Sequence, residues 1–597
     1  MESVQGLPAF LQSLIYFTQH IEELYEDLSN VDKGKKFAEL VRDTLSSQDD
    51  FWGLEAMLNP KQSYDEGIDL FWINPESRQK EIFCQSKFKM KSKDDLDNVI
   101  SKFKAFEDSQ NNPPTPQQLS VFSTEDSIEK VSSRSKTKYF VVTLTKLGNI
   151  INSYEKSGRP SLEFYNSLLS QKRLEIVDGE IFYGYFLDSY QKEYSIPQEI
   201  RFKADQKLIN KMNVHVGIID SQDLINIYRK SGNGIFFENV RDFIGLGNKN
   251  KDSTLDINSE IYKTAHDEPS KMIERNNGIT FKASSIEYDG DFVVLKNAGI
   301  INGCQTTLCI VKAEPSELCY VPVKIVTTSD DQNSSDIART ANTQNRIDKI
   351  NLELSDFIRP QLIKISLAEA GISLIESEMT SSAPRIAAII SNQKIFKSDL
   401  RFLFIGLFSI TPRNIFTSDY AAIRFDDLKI AYSSVEQKKN LNSLLAKLII
   451  CTNSTFDSLR VKYPMDAGKY SNTYERKVGK VFNRFYADQK SYKIYLVILA
   501  IYCLINIEDE KQIKKLAINE LVNSIQTIIE DNDKKLDTAI DKIFRSVALS
   551  AVQHFAKDED FFDSKEFDKE ISQYLSQYVA RTPLTNYFLS FALIGLN

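Results

Sequence analysis

The 597 residues, 42% hydrophobic and 26% charged, have the make-up of an ordinary soluble globular protein, too long for one core and long enough for two to four domains. A formal net charge of -8 excludes a global basic field, so nucleic acid would have to be held by local basic patches. Six scattered cysteines without a CxxC pair, and four histidines, argue against a disulfide framework or a zinc site and for buried free thiols.

No basic start precedes an apolar secretory segment, so the expected location is the cytoplasm. Residues 8–28 carry apolar side chains at helical spacing, with Pro8 suited to a first turn. A second helix is predicted over 35–45, its apolar face made by Phe37, Leu40, Val41 and Leu45. Glu39 lies beside that face, where it either reaches a site next to a sheet or stays a solvated surface glutamate. A strand follows at 51–58.

Residues 70–73 and 82–84 are apolar runs separated by the turn residues Asn74-Pro75-Glu76-Ser77, which predicts two adjacent strands. Asp69 then starts the first strand, while Gln85 and Lys87, two apart, project from one face of the second. A carboxylate, an amide oxygen and a lysine converging at strand ends suit a hard divalent cation and an activated water. Lys80, Lys87, Lys89, Lys91 and Lys93 make a local basic cluster that either tracks a phosphate backbone or is a solvated lysine face. A helix at 93–106, a Pro-rich loop at 111–116, a polar excursion at 123–138 and a buried strand at 139–145 complete the stretch.

That order of helix, three strands, helix and strand, with Asp69 followed by Gln85-x-Lys87, resembles the PD-(D/E)xK nuclease superfamily over roughly residues 30–145. Within it the Mrr-like restriction endonucleases are the nearest branch, and Gly34 with Phe37-x-Glu39 looks like their opening helix. The resemblance implies Asp69 and Gln85 as ligands of Mg²⁺ (or Mn²⁺), helped by the Ser86 carbonyl. Lys87 would stabilise the pentavalent phosphate or position water, and Glu39 would complete the acidic shell. Asp65 and Glu66 are adjacent spare carboxylates. Gln85 departs from the family acid, and a neutral amide binds a cation more weakly.

Between 147 and 187 two short helical patterns precede an expected hairpin around Val177-Asp178-Gly179-Glu180. Tyr183, Tyr185, Phe186 and Tyr190 either stack bases or line a core face. A strand at 216–219 and a helix at 221–230 follow. Four blocks then place small amides and glycines where strands give way to turns: Phe236 to Arg241, Asn276-Asn277-Gly278-Ile279-Thr280, Asn302-Gly303-Cys304-Gln305-Thr306, and Asn342-Thr343-Gln344-Asn345 at the end of a predicted helix. Backbone N–H groups at a helix start favour an anion, Gly303 permits a close approach, and Arg241 and Arg346 would neutralise phosphate. Taken singly, each block reads more simply as a local turn.

Together the four blocks resemble the abortive infection phage resistance (AIPR) family, whose members often carry a nuclease-like N-terminal part. More distantly, the strand–Asn-Gly-x-Gln-Thr–helix unit looks like the phosphate-binding core of ParB-like and DGQHR-type domains. This implies a nucleotide or nucleic-acid phosphate at Asn302 to Thr306, held by Asn302, Gly303, Gln305 and Thr306; Asn276, Asn277, Asn342, Gln344, Asn345 and Arg241 of the other blocks are the further candidate phosphate or ligand contacts.

From 352 onward, segments at 352–368, 426–451, 491–507, 511–530, 534–556 and 564–578 show helical periodicity. The uncharged run 494–507 falls short of the ~20 residues a membrane span needs and predicts a buried helix. Arg476, Lys477, Lys480 and Arg484 with Phe482, Phe485 and Tyr486 make a basic-aromatic stretch, read either as a grip on nucleic acid or as an amphipathic helix. The expected fold is therefore α/β multidomain: a restriction-endonuclease-like domain over 1–190, an α/β AIPR-like domain over 200–390 and a helical region over 391–597. The expected activity is a Mg²⁺-dependent endonuclease of phage defence acting on nucleic acid, DNA favoured over RNA, regulated by a nucleotide or nucleic acid on the middle domain. A regulatory binding module with an inactive nuclease-like domain and an RNase toxin are the alternatives. No membrane partner is expected, and a homo-oligomer is a possible assembly.

Overall fold

Ser13 and Ser29 decide where the first helices begin. Each side chain accepts the N–H three residues on, starting α1 (Leu14–Leu24) and α2 (Asn30–Leu45). The single helix expected over 8–28 is thus a 3₁₀ turn at Ala9–Leu11, a Ser13 cap and α1. The computed structural model describes residues 7–59, 68–111, 137–203, 208–237, 239, 253–328, 349–375, 393–416, 422–464, 470, 472–488, 490–530, 535–555 and part of 561–588.

The described residues form two compact units, one ending at Thr327 and the other holding the residues from 349 on. The first unit contains two sheet assemblies. After α2 come β1 (Glu55–Leu58), β2 (Leu70–Ile73), β3 (Lys80–Lys87), α3 (Lys93–Asn111), β4 (Lys138–Thr143), α4 (Gly148–Glu155), α5 (Ser161–Ser170), β5 (Leu174–Val177) and α6 (Gly179–Tyr194). The sheet order is β1-β2-β3-β4-β5: the first three strands are antiparallel neighbours, and β3, β4 and β5 run parallel. All four side chains of β2 are buried, because helices or loops cover both faces of the sheet, which is why it reads as an unbroken apolar run. On one face Phe83, Tyr139 and Val141 pack with Val99 and Phe103 of α3; Phe51 packs at a tilt against Trp72 and Phe140, with ring centroids 4.6 and 4.9 Å away.

The hairpin expected around Asp178 is absent. Val177 ends β5, and the Asp178 carboxylate accepts the N–H groups of Glu180 and Ile181, so the chain turns into α6. Asp-Gly has two uses, turn and helix cap, and the cap prevails because Phe182, Phe186 and Tyr190 then bury one helix face. Phe186 and Tyr190 are thereby core residues rather than base-stacking ones.

The second assembly of this unit has β6 (Glu199–Lys203), β7 (Ile209–Lys211), β8 (Val214–Asp220), α7 (Ser221–Ser231), α8 (Ser253–Asp267), α9 (Met272–Arg275), β9 (Ile279–Ala283), β10 (Ser285–Asp289), β11 (Phe292–Lys296), β12 (Gly299–Asn302), α10 (Cys304–Ala313) and β13 (Tyr320–Thr327). A five-stranded sheet of order β12-β9-β13-β8-β7 pairs β9 and β13 in parallel and its other neighbours antiparallel; β10-β11-β6 form a separate three-stranded sheet. Phe281, Ile300, Val321, Ile325 and Leu308 make its core.

The second unit is mostly helical around one large core. Several expected helices are broken by local chemistry: Pro360 starts a new helix, Pro360–Glu369, after Lys349–Ile358, and a Ser434/Gln437 capping box starts Val435–Lys462 after Phe425–Ala431. In Lys490–Leu504 every residue from Ile494 to Cys503 is buried, as the apolar run implied, and no described helix is long and apolar enough to cross a membrane. Phe482 of Thr473–Asp488 is fully buried and the Lys477 ammonium sits over the Phe562 ring, which fits the amphipathic-helix reading of that stretch. The six cysteines are free thiols and five are buried. Burial pushes the Cys309 and Cys503 thiols up to about 12, which keeps them protonated and inert.

Candidate active site

Asp69 sits one residue before β2, across from the end of β3, and its N–H donates to the Cys84 carbonyl at 2.9 Å. Its Oδ2 accepts three hydrogen bonds: from Gln85 Nε2 at 2.7 Å, from the Ser86 N–H at 2.7 Å and from Ser86 Oγ at 2.8 Å. Gln85 and Ser86 are neighbours on a strand and should face opposite ways. Both nevertheless reach Asp69, Gln85 through its side-chain amide and Ser86 through its backbone N–H and its hydroxyl. Hydrogen bonds to a carboxylate of this kind are about twice as strong as neutral ones, so its orientation is fixed. Its charge, after burial itself, pushes the neighbouring Cys84 thiol up.

The Gln85 side chain is buried, and its Oε1 has no hydrogen-bond partner. A buried amide oxygen without a donor costs roughly 1–3 kcal/mol, so it is a place where a cation would be welcome. Lys87 shares the Gln85 face of β3; its Nζ is 4.0 Å from Asp95 Oδ1, and 30% of its side chain is exposed. The other Asp95 oxygen accepts the N–H groups of Lys91 and Ser92 at 2.8 and 3.2 Å. At 4.0 Å the pairing of Lys87 is loose enough for the ammonium to serve a substrate anion.

Glu39 is not joined to this group. It pairs with Lys36 at 2.7 Å, and 39% of its side chain is exposed. Burial first, then Glu39 and Asp43, raise the Tyr25 hydroxyl, whose ring packs against Phe88 at 5.7 Å. Glu39 therefore lies near the Lys87–Phe88 end of β3 while spending its charge on its own helix. Asp65 and Glu66 lie outside the described residues. Among the described residues no cluster of three or more His, Cys, Asp or Glu side chains could hold a metal. Any cation here would rest on one carboxylate, a neutral amide and backbone or water oxygens, a donor set that Mg²⁺ accepts because it keeps several of its waters.

The amide-rich blocks of the second assembly meet at one corner. Asn276 Nδ2 donates to Thr306 Oγ1 at 3.1 Å, the Gly278 N–H donates to Asn276 Oδ1 at 2.8 Å, and Asn258 Nδ2 donates to Gln305 Oε1 at 2.8 Å. Gly303 has φ +109 and precedes α10; a Cβ there would lie 2.9 Å from Ile279 Cγ1. Asn302 ends β12 half-buried, and Asn277 is exposed. Asn276, Thr306 and Gln305 are thus engaged within the protein, and a phosphate would have to displace these bonds. Arg241, Asn342, Gln344, Asn345 and Arg346 lie outside the described residues.

A family model described as AIPR protein matches residues 236–559, more than half of the 597-residue chain. The chain belongs to the AIPR family. This membership points to abortive-infection defence against phage. The AIPR match begins at Phe236 and includes the Asn276 and Asn302 blocks, while the sheet carrying Asp69, Gln85 and Lys87 precedes it. Neither the curated proteins nor the solved structures match this AIPR chain.

Ser86 was missed as a site residue except for its carbonyl. Its hydroxyl carried no signal, because strand alternation sends it away from Gln85 and Lys87. Asp95 was missed as well, although an aspartate in the first turn after Lys87 and Lys93 could have been suspected as its counter-charge.

Proposed function

We propose that this AIPR protein is a metal-dependent nuclease that hydrolyses phosphodiester bonds, DNA favoured, in a cytoplasmic anti-phage response. The observation that carries the reading is the buried, partnerless Gln85 Oε1 beside an aspartate anchored by three donors, with Lys87 on the same face of the strand. The N-terminal part would be the Mrr-like nuclease domain.

Asp69 and Gln85 Oε1 would hold Mg²⁺ or Mn²⁺, with the Ser86 carbonyl close by. The ion, when bound, supplies Lewis-acid polarisation of a phosphoryl oxygen and a bound water of lowered pKa. Ser86 keeps Asp69 in one orientation, and the orientation of a ligand governs how well it binds. Lys87 meets the negative charge that grows on the phosphoryl oxygens, and its loose contact with Asp95 keeps it available. The lysines on and after β3 would follow the phosphate backbone, giving an overall acidic protein a local footing on nucleic acid.

The test is cleavage of DNA and RNA, side by side, by the full-length protein with Mg²⁺, Mn²⁺ or EDTA. Metal-dependent cleavage that is lost in Asp69→Ala and Lys87→Ala supports the proposal; cleavage of RNA alone makes the protein an RNase toxin. If the purified protein cuts neither, or Lys87→Ala cuts as well as wild type, the nuclease reading fails. One observation favours a second reading, a nucleotide- or DNA-binding regulator with an inactive nuclease-like domain. Glu39 pairs with Lys36, which leaves Asp69 as the single described carboxylate among the proposed cation ligands.

A further inference from the structure

Within the first unit a cleft of about 1460 Å³ runs between the β1–β3 end of the first sheet and helices α6, α7, α8 and the end of α10. It is not the candidate active site. Glu81, on its rim, stands at the start of β3 and Lys87 at the end, six residues away, or about 20 Å along a strand. The volume exceeds the 300–1,000 Å³ of a usual small-molecule pocket and suits a chain segment.

Charge decides what kind of segment. The lining has six carboxylates against four lysines and arginines. All four cations are engaged: Arg42 with Asp43 at 2.7 Å, Lys192 with Asp188 at 2.8 Å, Arg229 with Glu314 at 3.5 Å, and Lys312 with a partner of its own. Glu76 and Glu81 have no ion pair among the described residues. A nucleoside polyphosphate would therefore meet unbalanced carboxylates and no spare cation. The cleft also shows which cation it accommodates. The Arg229 guanidinium lies 4.6 Å from the centroid of the Trp52 ring with the Glu314 carboxylate beside it, and Trp52 Nε1 donates to the same carboxylate. Tyr228 and Tyr262 continue the aromatic wall. Planar guanidinium stacks on such rings and pairs with carboxylates better than ammonium does.

We propose that this cleft binds a basic peptide segment, arginine preferred to lysine, with Glu76 and Glu81 as the carboxylates that meet its charge. The test uses the full-length protein and its intrinsic fluorescence. Of its two tryptophans, Trp52 lines the cleft and Trp72 is completely buried, so an emission change reports on Trp52. The probes are a nonapeptide of alternating Arg and Gly, its Lys and Glu counterparts, and ATP. The expected result is a saturable emission change with the Arg peptide and severalfold weaker binding of the Lys peptide. Calorimetry should show at least tenfold weaker binding of the Arg peptide to Glu76→Gln/Glu81→Gln, and unchanged binding to the surface control Glu520→Gln/Glu530→Gln, neither of which lines the cleft. Circular dichroism melting verifies that both variants are folded. The proposal is overturned if the Arg peptide gives no saturable change. Equal loss in both double variants overturns it too, since that is adsorption to an acidic surface. So does tighter binding of ATP or the Glu peptide.

Discussion

Three donors converge on one oxygen of Asp69, and the two side-chain donors can be removed separately. Ser86→Ala deletes the hydroxyl bond and keeps the backbone N–H and the Gln85 amide. A hydrogen bond to a charged group contributes about 1.5–3 kcal/mol, and the two remaining donors place this loss at the low end. On the nuclease reading, the metal concentration for half-maximal cleavage rises about tenfold, since ~1.4 kcal/mol is one decade. Ser86→Thr, which keeps the hydroxyl, restores most of it. Direct Mn²⁺ binding followed by electron paramagnetic resonance should move in step; a variant that binds and cuts as wild type would show Ser86 to be a bystander. Gln85→Glu replaces a donor 2.7 Å from Asp69 by a second carboxylate. Two such groups cannot both ionise easily, so one folded-state pKa rises above its unfolded value of about 4.3. The variant is then close to wild type below that pH and less stable as pH rises through the raised value. Added Mn²⁺ should reverse the loss. Thermal melts from pH 4 to 8, with EDTA and with Mn²⁺, test this; a melting temperature blind to metal at pH 8 would argue against a cation between the two side chains.

At the scale of single elements, two backbone decisions carry predictions. Gly303 leads from β12 into α10 at φ +109, and a Cβ would press on Ile279 at 2.9 Å. Gly303→Ala should cost about 1–2 kcal/mol from the backbone alone, more with the steric contact, and lower the urea midpoint of the first unit. The start of α6 depends on Asp178, whose Oδ1 accepts from Glu180 and Ile181 and whose Oδ2 accepts the Leu147 N–H at 3.2 Å. Asp178→Ala removes the cap, worth about 1 kcal/mol, and leaves the Leu147 donor unpaired. Asp178→Asn keeps an acceptor oxygen for the cap and should lose less than half as much. Urea unfolding monitored by tryptophan emission ranks the two variants.

At the scale of the molecule, each compact unit has its own core, and the probes separate by chance of sequence. Both tryptophans, Trp52 and Trp72, belong to the first unit, while the helices from 349 on give the second unit a strong far-ultraviolet signal. Ile498 is fully buried in the second unit, where its side chain fills the space above Gly406. Ile498→Ala should cost about 2–5 kcal/mol of that unit's stability. The circular dichroism transition would then move to lower temperature while the tryptophan transition stays within a degree or two. Equal movement of both would mean that the two cores unfold as one. A two-transition protein also has no single unfolding free energy, so the measurements belong to units.

Much of the fold is legible in the amino-acid sequence itself. β2 and β3 follow from apolar runs flanked by turn residues, α10 from an Asn-Gly at the end of a strand, and AIPR membership from ordered amide blocks after Phe236. These are local patterns, and hydrogen bonding to near neighbours enforces them. The sequence also put Gln85 and Lys87 on one face, because strand alternation is local geometry. Only the tertiary structure brought Ser86 onto Asp69, since what lies across from a strand end depends on register and on where the neighbouring strand stops. It chose the helix cap over the hairpin at Asp178, where the burial of Phe182 and Phe186 decided. It alone assembled the cleft beside Trp52, whose walls come from segments more than two hundred residues apart. No periodicity encodes that distance, because side-chain partners across a fold are set by packing rather than by spacing along the chain.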